Sequence, residues 1–445
     1  MGSEWQKYKL GELTSWSSGG TPSKSNEAFW GGDLPWISAS SMDGTRYSDS
    51  KLKLTEQGLN AGSRIAPKNS ILLLVRGSIL HQKIRVGIAE RDLSFNQDVK
   101  CLIPKIKLVD PWFLLSWFIA NEKYLLAKVE NTGIGAGKLD TKVMQELIVN
   151  VPPKSERHKI ASFSKAIDDK IQLNRQTNQT LEQMTQALFK SWFVDFDPVI
   201  DKVLAAGNPI PNDLKDRAQR RQQQLAKPDH KPFPDDIMEL FPSEFELTEE
   251  LGWVPQGWRH LAFDEFCSSK QGKYIPTNEM EVQADAEYLY PIWGGNGVRG
   301  YAKEKIYSEP VVVLTCRGSN CGLIEKTYGG SWVSNISFAC APSIGSVNFL
   351  YVLFNNVDFS DCISGSAQPQ ITYTALKSKK VKYPVSRHLI LAYSEIIDDY
   401  YERMLRNDSQ SIALTKLRDT LLPKLISGEL RLPPEALCGE DQKLS

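Results

Sequence analysis

The sequence lacks the segments that carry a protein into or across a membrane. None of its 445 residues belong to an apolar run of the roughly 18 residues that a membrane-spanning helix needs. The first residues, Met1-Gly2-Ser3-Glu4, are not a basic stretch followed by an apolar one, so a signal peptide is not expected. The seven cysteines show no regular spacing and are expected to remain reduced. We therefore expect a cytoplasmic protein without a membrane partner.

Recognisable catalytic signatures are also missing. The chain has no phosphate-binding Walker loop, no metal-binding His-x-x-x-His pair and no Gly-x-Ser-x-Gly nucleophile elbow. The glycine-rich stretch Gly133–Gly137 superficially resembles a cofactor loop, but no clear strand–helix unit with a later acidic residue accompanies it. The acidic cluster from Asp235 to Glu239 lacks the lysine of a nuclease site and is interpreted as a solvated segment. We expect no active site, metal or bound cofactor in this chain.

Excess positive charge is absent as well, which argues weakly against a nucleic-acid partner. The 53 Lys and Arg residues balance the 53 Asp and Glu residues. The distribution is uneven, because residues 1–150 hold 19 basic and 15 acidic residues whereas residues 200–250 hold 7 and 11. The first globular segment is therefore positive and the middle of the chain is acidic.

One long amphipathic helix is predicted from Pro153 to Trp192. Two prolines, Pro152 and Pro153, precede it, as at many helix starts. A seven-residue spacing predicts a buried seam that a partner helix must cover. The first set of seam positions is Ile160, Ile167, Asn174, Leu181 and Leu188, and the second set, three residues later, is Phe163, Lys170, Thr177 and Met184.

The partner helix is predicted within the same chain. Arg157-His158 recurs as Arg387-His388, and Ile167-Asp168-Asp169 recurs as Ile397-Asp398-Asp399, both 230 residues later. Any two amphipathic helices share apolar spacing, but these matches include residues outside the seam. They therefore indicate a duplicated helix.

The globular segments are predicted to be duplicated too. Trp5 and Leu10 match Trp258 and Phe263 at one offset, and an Arg-Gly-Ser sequence follows a hydrophobic strand in both segments. Two equivalent globules and two equivalent helices imply a pseudo-twofold axis, in an α+β fold of mixed α/β globules joined by two long helices. The predicted bounds are 1–151 and 258–384 for the globules, 152–198 and 385–432 for the helices, 199–257 for a Pro-rich acidic connector and 433–445 for a flexible tail.

The Arg-Gly-Ser loops are the strongest candidates for base recognition. Arginine can read guanine through two hydrogen bonds, and Asn or Gln can read adenine. Each residue alone is more often an ordinary loop residue, but the occurrence of the sequence in both globules favours one common ligand. The candidate DNA-binding residues are Arg76, Ser78, Lys83, Arg85, Lys138, Asn296, Arg317, Ser319, Asn320, Gln368 and Gln370.

A cluster of aromatic residues ends the central helix. A two-helix pair offers too little surface to bury all of them, so some are expected to contact another protein. Packing against the rest of this chain is the alternative. The predicted partner-binding residues are Phe189, Trp192, Phe193, Phe196 and Leu425.

These stretches together resemble the specificity subunits of type I restriction–modification enzymes. The resemblance covers nearly the whole chain and is carried by the duplicated helices and by residues 19–37, 188–199, 252–258 and 421–432. It implies two target recognition domains, each reading half of a bipartite DNA site. It also implies that the two long helices form an antiparallel coiled coil.

The resemblance further implies a non-catalytic subunit of a larger complex. The expected partners are double-stranded DNA, two methyltransferase subunits and two motor-nuclease subunits. S-adenosylmethionine, ATP and Mg are expected in those partner subunits and not in this chain. The alternative hypothesis is a coiled-coil scaffold whose globules bind proteins.

Overall fold

A computed structural model describes residues 5–132, 135–228, 232–384 and 386–433. The chain divides into two compact units. The first unit comprises Met1–Arg175 with Asn407–Ser445, and the second comprises Gln176–Arg406. Each unit contains a globular part and a segment of each of two long helices.

The globular part of the first unit is made of short strands and helices. Its strands are β1 (Gln6–Lys9), β2 (Thr14–Ser18), β3 (Trp30–Ile37), β4 (Arg46–Tyr47), β5 (Lys53–Leu54), β6 (Ile65–Ala66), β7 (Ile71–Leu74), β8 (Arg76–Gly77), β9 (Val86–Ala89), β10 (Leu93–Phe95), β11 (Val99–Pro104), β12 (Glu130–Asn131), β13 (Gly137–Lys138) and β14 (Ile148–Val151). Its helices are α1 (Leu10–Leu13), α2 (Glu56–Gly62), α3 (Pro111–Ala120), α4 (Glu122–Leu126) and α5 (Thr141–Gln145).

A five-stranded sheet forms the core of this globule. Its order is β2-β11-β7-β9-β4, in which β7 is the middle strand and every residue of β7 is buried. Helix α3 adds a buried face and begins with Pro111 after Asp110, whose carboxylate accepts from the backbone N–H of Trp112 at 2.7 Å. Strand β1 pairs antiparallel with β14, so the two ends of the globule meet.

Two long helices complete both units. Helix α6 runs from Lys154 to Phe189 and continues as a π-helical turn to Val194. The other long helix runs from Arg387 to Ser427. The long amphipathic helix that we predicted from Pro153 to Trp192 is confirmed.

The seam of α6 follows the predicted seven-residue spacing in one set of positions and differs in the other. Ile160, Ile167, Asn174 and Leu181 are buried as predicted. The second set is wrong at three of its four positions, because Lys170, Thr177 and Met184 are exposed, whereas Phe163 is partly buried against the core of the first unit. The buried positions lie four residues after the first set instead of three, at Ser164, Ile171 and Thr185. Both spacings have the same period, and small polar residues at these positions hide the true stripe from a hydrophobicity pattern.

The two helices run antiparallel in each unit, as the resemblance implied. Residue numbers rise along α6 while those of the contacting residues on the other helix fall. The contacting pairs are Asp168 with Arg418 and Asn174 with Asn407 in the first unit, and Asn178 with Met404 and Thr185 with Tyr393 in the second.

The second unit begins its globular part beyond the π-helical turn. Its helices are α7 (Asp197–Ala205), α8 (Lys215–Leu225), α9 (Asp235–Glu239), α10 (Phe263–Phe266), α11 (Val347–Asn355) and α12 (Tyr373–Lys377), and the second long helix is α13 (Arg387–Ser427). Its strands are β15 (Phe245–Thr248), β16 (Gly252–Pro255), β17 (Trp258–Ala262), β18 (Cys267–Gln271), β19 (Met280–Glu281), β20 (Tyr290–Trp293), β21 (Val298–Ala302), β22 (Val312–Thr315), β23 (Ile324–Lys326), β24 (Trp332–Val333), β25 (Ser337–Pro342), β26 (Ile363–Ser364), β27 (Gln370–Ile371) and β28 (Lys380–Pro384).

The second globule repeats the plan of the first. The sheet order β18-β25-β22-β23 corresponds to β2-β11-β7-β9, and β17 pairs with β28 as β1 pairs with β14. Helix α11 takes the place of α3, with Ser346 as its N-terminal cap instead of Asp110. The predicted duplication of an α+β globule is therefore present in the structure.

The segment predicted as a connector, residues 199–257, is packed into the second unit. Val199 and Val203 of α7 are buried in the same core as Phe241. Asp201, one of its acidic residues, is used in an ion pair: the Arg221 guanidinium donates a hydrogen bond to this carboxylate at 2.9 Å. Composition indicated a linker because prolines and charges outnumber the few buried apolar residues. The predicted flexible tail, 433–445, lies outside the described residues from 434 onward.

Candidate nucleic-acid interface

The Arg-Gly-Ser sequence of the first unit forms an exposed strand end. Arg76 and Gly77 make up β8, and Ser78 opens a 3₁₀ turn that ends at His81. Gly77 has a φ of +156°, a conformation that favours glycine. Arg76 and Ser78 are exposed, while the preceding Val75 is buried. Two exposed polar side chains, Arg76 and Ser78, therefore follow soon after the buried strand β7.

Cross-strand pairing places three polar side chains in line. Arg76 lies opposite Lys138, and Lys138 lies opposite Glu130. Residues opposite each other on antiparallel strands project from the same face of the sheet. We call Arg76, Lys138 and Glu130 the first row. Lys138 also lies 3.5 Å from Asp140, with both side chains partly exposed.

The second unit contains the same arrangement. Arg317 lies opposite Gln370, and Gln370 lies opposite Ser364. We call Arg317, Gln370 and Ser364 the second row, and all three residues are exposed. The backbone hydrogen bonds beside the two rows correspond. The Ile371 N–H donates to the Cys316 carbonyl at 2.9 Å, and the Leu139 N–H donates to the Val75 carbonyl at 2.9 Å.

A glycine loop joins the second row. The Asn320 side-chain amide donates to the Gly295 carbonyl at 2.7 Å, which connects the Arg-Gly-Ser loop to Gly294–Gly297. Asn296, at the tip of that loop, is exposed, as are Ser319 and Gln368. The predicted residues of the second unit therefore lie on three loops next to each other. The Asn320 amide already donates this hydrogen bond, so it could contact a base only by breaking the bond or by donating its second N–H.

Lys83 and Arg85 lie at a different feature of the first unit. Both line a cavity of about 200 Å³ together with Arg175, Arg418 and Asp168. The Arg85 guanidinium donates to the backbone carbonyl of Met42. Arg85 is only partly exposed, so the structure assigns it a contact within its own globule.

The residues predicted to bind a partner are buried within the chain. Phe189, Trp192, Phe193 and Phe196 are between 0% and 7% exposed in the core of the second unit. Trp192 packs edge-on against Phe241, with ring centroids 5.0 Å apart. Leu425 is 1% exposed in the core of the first unit. Internal packing thus accounts for the aromatic excess on which the partner prediction was based.

A charged contact that the sequence does not predict joins the first globule to α6. The Arg46 guanidinium donates to both Asp168 and Asp169, and it lies 4.7 Å from the ring centroid of Trp112. The hydroxyl of Thr45 also donates to Asp168. The repeated Ile-Asp-Asp sequence identified the carboxylates, but nothing in the sequence near Arg46 identified their partner.

The second unit uses Asp398 in the corresponding way. This carboxylate accepts from the Ser346 hydroxyl and from the Asn348 amide, both at 2.7 Å. Asn348 accepts in turn from the buried ammonium of Lys326, which lies 3.0 Å from the ring centroid of Tyr401. Burial lowers the pKa of Lys326 to about 7, against the opposing effect of Glu182 and Asp398. Each globule is therefore bonded to the Ile-Asp-Asp segment of a long helix in its own unit.

Among the residues that the structure describes, no group of three or more His, Cys, Asp or Glu residues is arranged to hold a metal ion. No helix in that part of the chain is long and apolar enough to cross a membrane.

Residues 2–183 match the sequence profile of a family described as the type I restriction modification DNA specificity domain. The match covers the first globule and most of α6. The first row lies within the matched residues, and the second row lies outside them.

Similar proteins extend the likeness over the whole chain. The type I restriction enzyme MjaIX specificity subunit of Methanocaldococcus jannaschii is 23% identical, over 96% of this chain and 94% of that protein. The HindI specificity subunit of Haemophilus influenzae is 28% identical, over 80% of this chain and 87% of that protein.

A solved structure shares the fold. The type I restriction–modification S subunit from M. genitalium matches with a TM-score of 0.53 and 16% identity. The match covers 95% of this chain and 96% of that one. At this level of identity the match shows that the two chains share a fold.

Proposed function

We propose that this chain binds double-stranded DNA through the first and second rows, and that each unit reads one half of a bipartite target. The observation that carries the proposal is the repeated row, with an exposed arginine beside a glycine of positive φ in both units. Within the described residues, neither the Arg76 nor the Arg317 side chain has a hydrogen bond or an ion pair. Both guanidinium groups are thus available to an external acceptor.

The chemistry of the rows suits the edges of bases. A two-stranded β-ribbon fits the major groove of B-DNA, where arginine donates two hydrogen bonds to guanine O6 and N7. Gln370 can bond adenine through its amide and carbonyl groups. The near-zero net charge implies that phosphate contacts contribute less here than in a strongly basic protein.

The same proposal includes a scaffolding role. The chain would hold two methyltransferase subunits and two motor-nuclease subunits, with S-adenosylmethionine, ATP and Mg bound in those partners. The long helices support this because they carry exposed apolar side chains in both units. Ile412 is 71% and Leu173 53% exposed in the first unit, and Met184 is 44% and Leu405 41% exposed in the second.

The DNA-binding part is tested by removing each arginine separately. Arg76→Ala and Arg317→Ala should each weaken binding to the cognate duplex by roughly 10- to 100-fold, because one bidentate base contact is lost. Binding is measured by titrating a labelled duplex with the full chain assembled with its methyltransferase subunits.

Arg403→Ala is the matched control, because Arg403 is an exposed arginine paired with Asp399 on α13, outside both rows. It should leave binding unchanged. If both row variants bind as tightly as the control, the rows do not contact DNA and the proposed function loses its support.

The scaffolding part is tested on the exposed helix residues. Ile412→Glu replaces the most exposed of these four apolar side chains with a charged one and should reduce co-purification of the methyltransferase subunits. Lys416→Glu, one turn further along the same helix, controls for the added negative charge. Equal co-purification of wild type and Ile412→Glu would exclude this surface as a docking site.

A further inference from the structure

The two rows differ at one equivalent position, and this difference bears on which bases each unit reads. The backbone bonds around them identify the correspondence: Leu139 donates to Val75 as Ile371 donates to Cys316. The residue before each donor lies opposite the arginine of its row. That residue is Lys138 in the first unit and Gln370 in the second.

The two side chains have different hydrogen-bonding abilities. Lysine carries only donors, whereas glutamine carries a donor and an acceptor. In the major groove guanine presents two acceptors, N7 and O6, and adenine presents one acceptor, N7, and one donor, N6. Lysine therefore matches guanine, and glutamine matches adenine.

The spacing within a row permits contacts to successive base pairs. Side chains directly opposite each other on antiparallel strands have Cβ atoms about 5 Å apart. Base pairs in B-DNA are stacked about 3.4 Å apart. Two neighbouring long side chains of one row can thus reach two adjacent or next-nearest base pairs, with the arginine on one and its cross-strand partner on the other.

We propose that Lys138 and Gln370 are specificity-determining residues, so that the first row reads two guanines and the second row reads a guanine and a nearby adenine. This inference rests on the proposed DNA-binding function. It assigns a base preference to one named residue in each unit, and each assignment can be reversed by exchanging the two residue types.

The exchange should be tolerated by the fold. The position of each residue is fixed by backbone pairing, which does not depend on the side chain. The backbone carbonyl of Gln370 accepts a hydrogen bond from the Ser364 hydroxyl at 3.3 Å. Any residue type at position 370 can accept this bond. The Lys138–Asp140 pair is partly exposed and contributes little stability.

The experiment selects bound sequences from a duplex library randomised over 40 base pairs. The full chain, assembled with its methyltransferase subunits, is used as wild type, Gln370→Lys and Lys138→Gln. Gln370→Lys should convert one A·T pair to G·C in one half-site, and Lys138→Gln should convert one G·C pair to A·T in the other. The altered base should be preferred over the original by roughly 10- to 100-fold.

In each variant, the half-site of the unaltered unit is an internal control. If wild type selects a bipartite sequence and both variants select that same sequence, the inference is wrong and the proposed function stands. A change in both half-sites from one exchange also overturns it. If wild type selects no sequence at all, the proposed function itself fails.

Two alanine variants keep the test decisive if a Lys–Gln exchange abolishes DNA binding. Gln370→Ala and Lys138→Ala should each accept all four bases at a single position while the rest of the site is retained. An alanine variant that still requires the original base would show that the side chain does not read it.

Discussion

Asp168 of α6 accepts a hydrogen bond from Arg46 of β4, and both side chains are nearly buried, at 7% and 12% exposed. Removing Arg46 takes away the nearest cation of the buried Asp168 and leaves it with the more distant Arg418, at 3.8 Å. We expect Arg46→Ala to lower the free energy of unfolding by about 3 kcal/mol. Denaturant titration of the full chain measures the loss.

The exposed pair Arg403–Asp399 provides the comparison for Arg46. Its side chains are 60% and 51% exposed, and Arg403→Ala should change stability by less than about 0.5 kcal/mol. Equal effects of the two substitutions would mean that the Arg46 pair does not fasten the globule to the helix.

Lys326 predicts a pH dependence of stability in the second unit. Burial lowers its pKa from 10.5 to about 7, so the unfolded chain binds a proton that the folded chain has released between these values. Stability should therefore rise as the pH increases from about 7 towards 10. The facing tyrosines Tyr351 and Tyr401 have raised pKa values, so they oppose this rise only as the pH approaches 10, where tyrosines of the unfolded chain begin to ionise.

The variant Lys326→Met isolates this contribution. Unfolding titrations at pH 6.5, 8 and 9.5 should show the rise in wild type and a smaller rise or none in the variant. Parallel curves for the two proteins would show that Lys326 keeps its ordinary pKa in the folded state.

The corrected seam can be tested with neighbouring residues of α6. Ile171 is 5% exposed, whereas Lys170 is exposed although the hydrophobic pattern assigned it to the seam. Ile171→Ala should destabilise the first unit by about 2–4 kcal/mol, and Lys170→Ala by less than about 0.5 kcal/mol. Thermal melts of both variants give the comparison, and the reverse ranking would restore the original seam.

Substitutions of Trp192 distinguish a role in internal packing from a role in partner binding. It is fully buried among Phe241, Phe193 and Tyr393, and its indole N–H has no hydrogen-bond partner within the described residues. Trp192→Ala should cost about 3–5 kcal/mol, while Trp192→Phe should cost much less because it retains most of the volume.

Assembly of the Trp192→Phe variant is the second measurement. If the variant melts like wild type but no longer binds its methyltransferase subunits, Trp192 contacts those subunits. Normal assembly would leave it as a core residue.

Local patterns predicted the parts of this fold that are repeated or periodic. The seven-residue spacing identified α6, and the 230-residue offset of the Ile-Asp-Asp sequence identified α13. The hydrophobic strand predicted before the first Arg-Gly-Ser sequence is β7. The Arg-Gly-Ser sequence identified the arginine of each row. These features are each encoded within a few consecutive residues or by direct repetition.

The remaining features depend on contacts between distant parts of the chain. Lys138 becomes a neighbour of Arg76 only through strand pairing, and Phe241 covers Trp192 only because the acidic segment folds back on the helix. Side chains such as Thr185 are polar in sequence and buried in the structure, where the hydroxyl bonds to the Leu181 carbonyl at 2.9 Å. No short window of sequence contains this information.

The division of the chain has a consequence for its synthesis. The second unit is a continuous segment, whereas the first needs residues after Asn407, including Leu422, Leu425 and Ile426 in its core. A ribosome adding about 5–20 residues per second needs roughly 10–50 s to pass from Arg175 to Asn407. The globule that is translated first must therefore wait, with Ile160 uncovered, until the later one has emerged complete, and this interval is when the nascent chain is most exposed to chaperones and to aggregation.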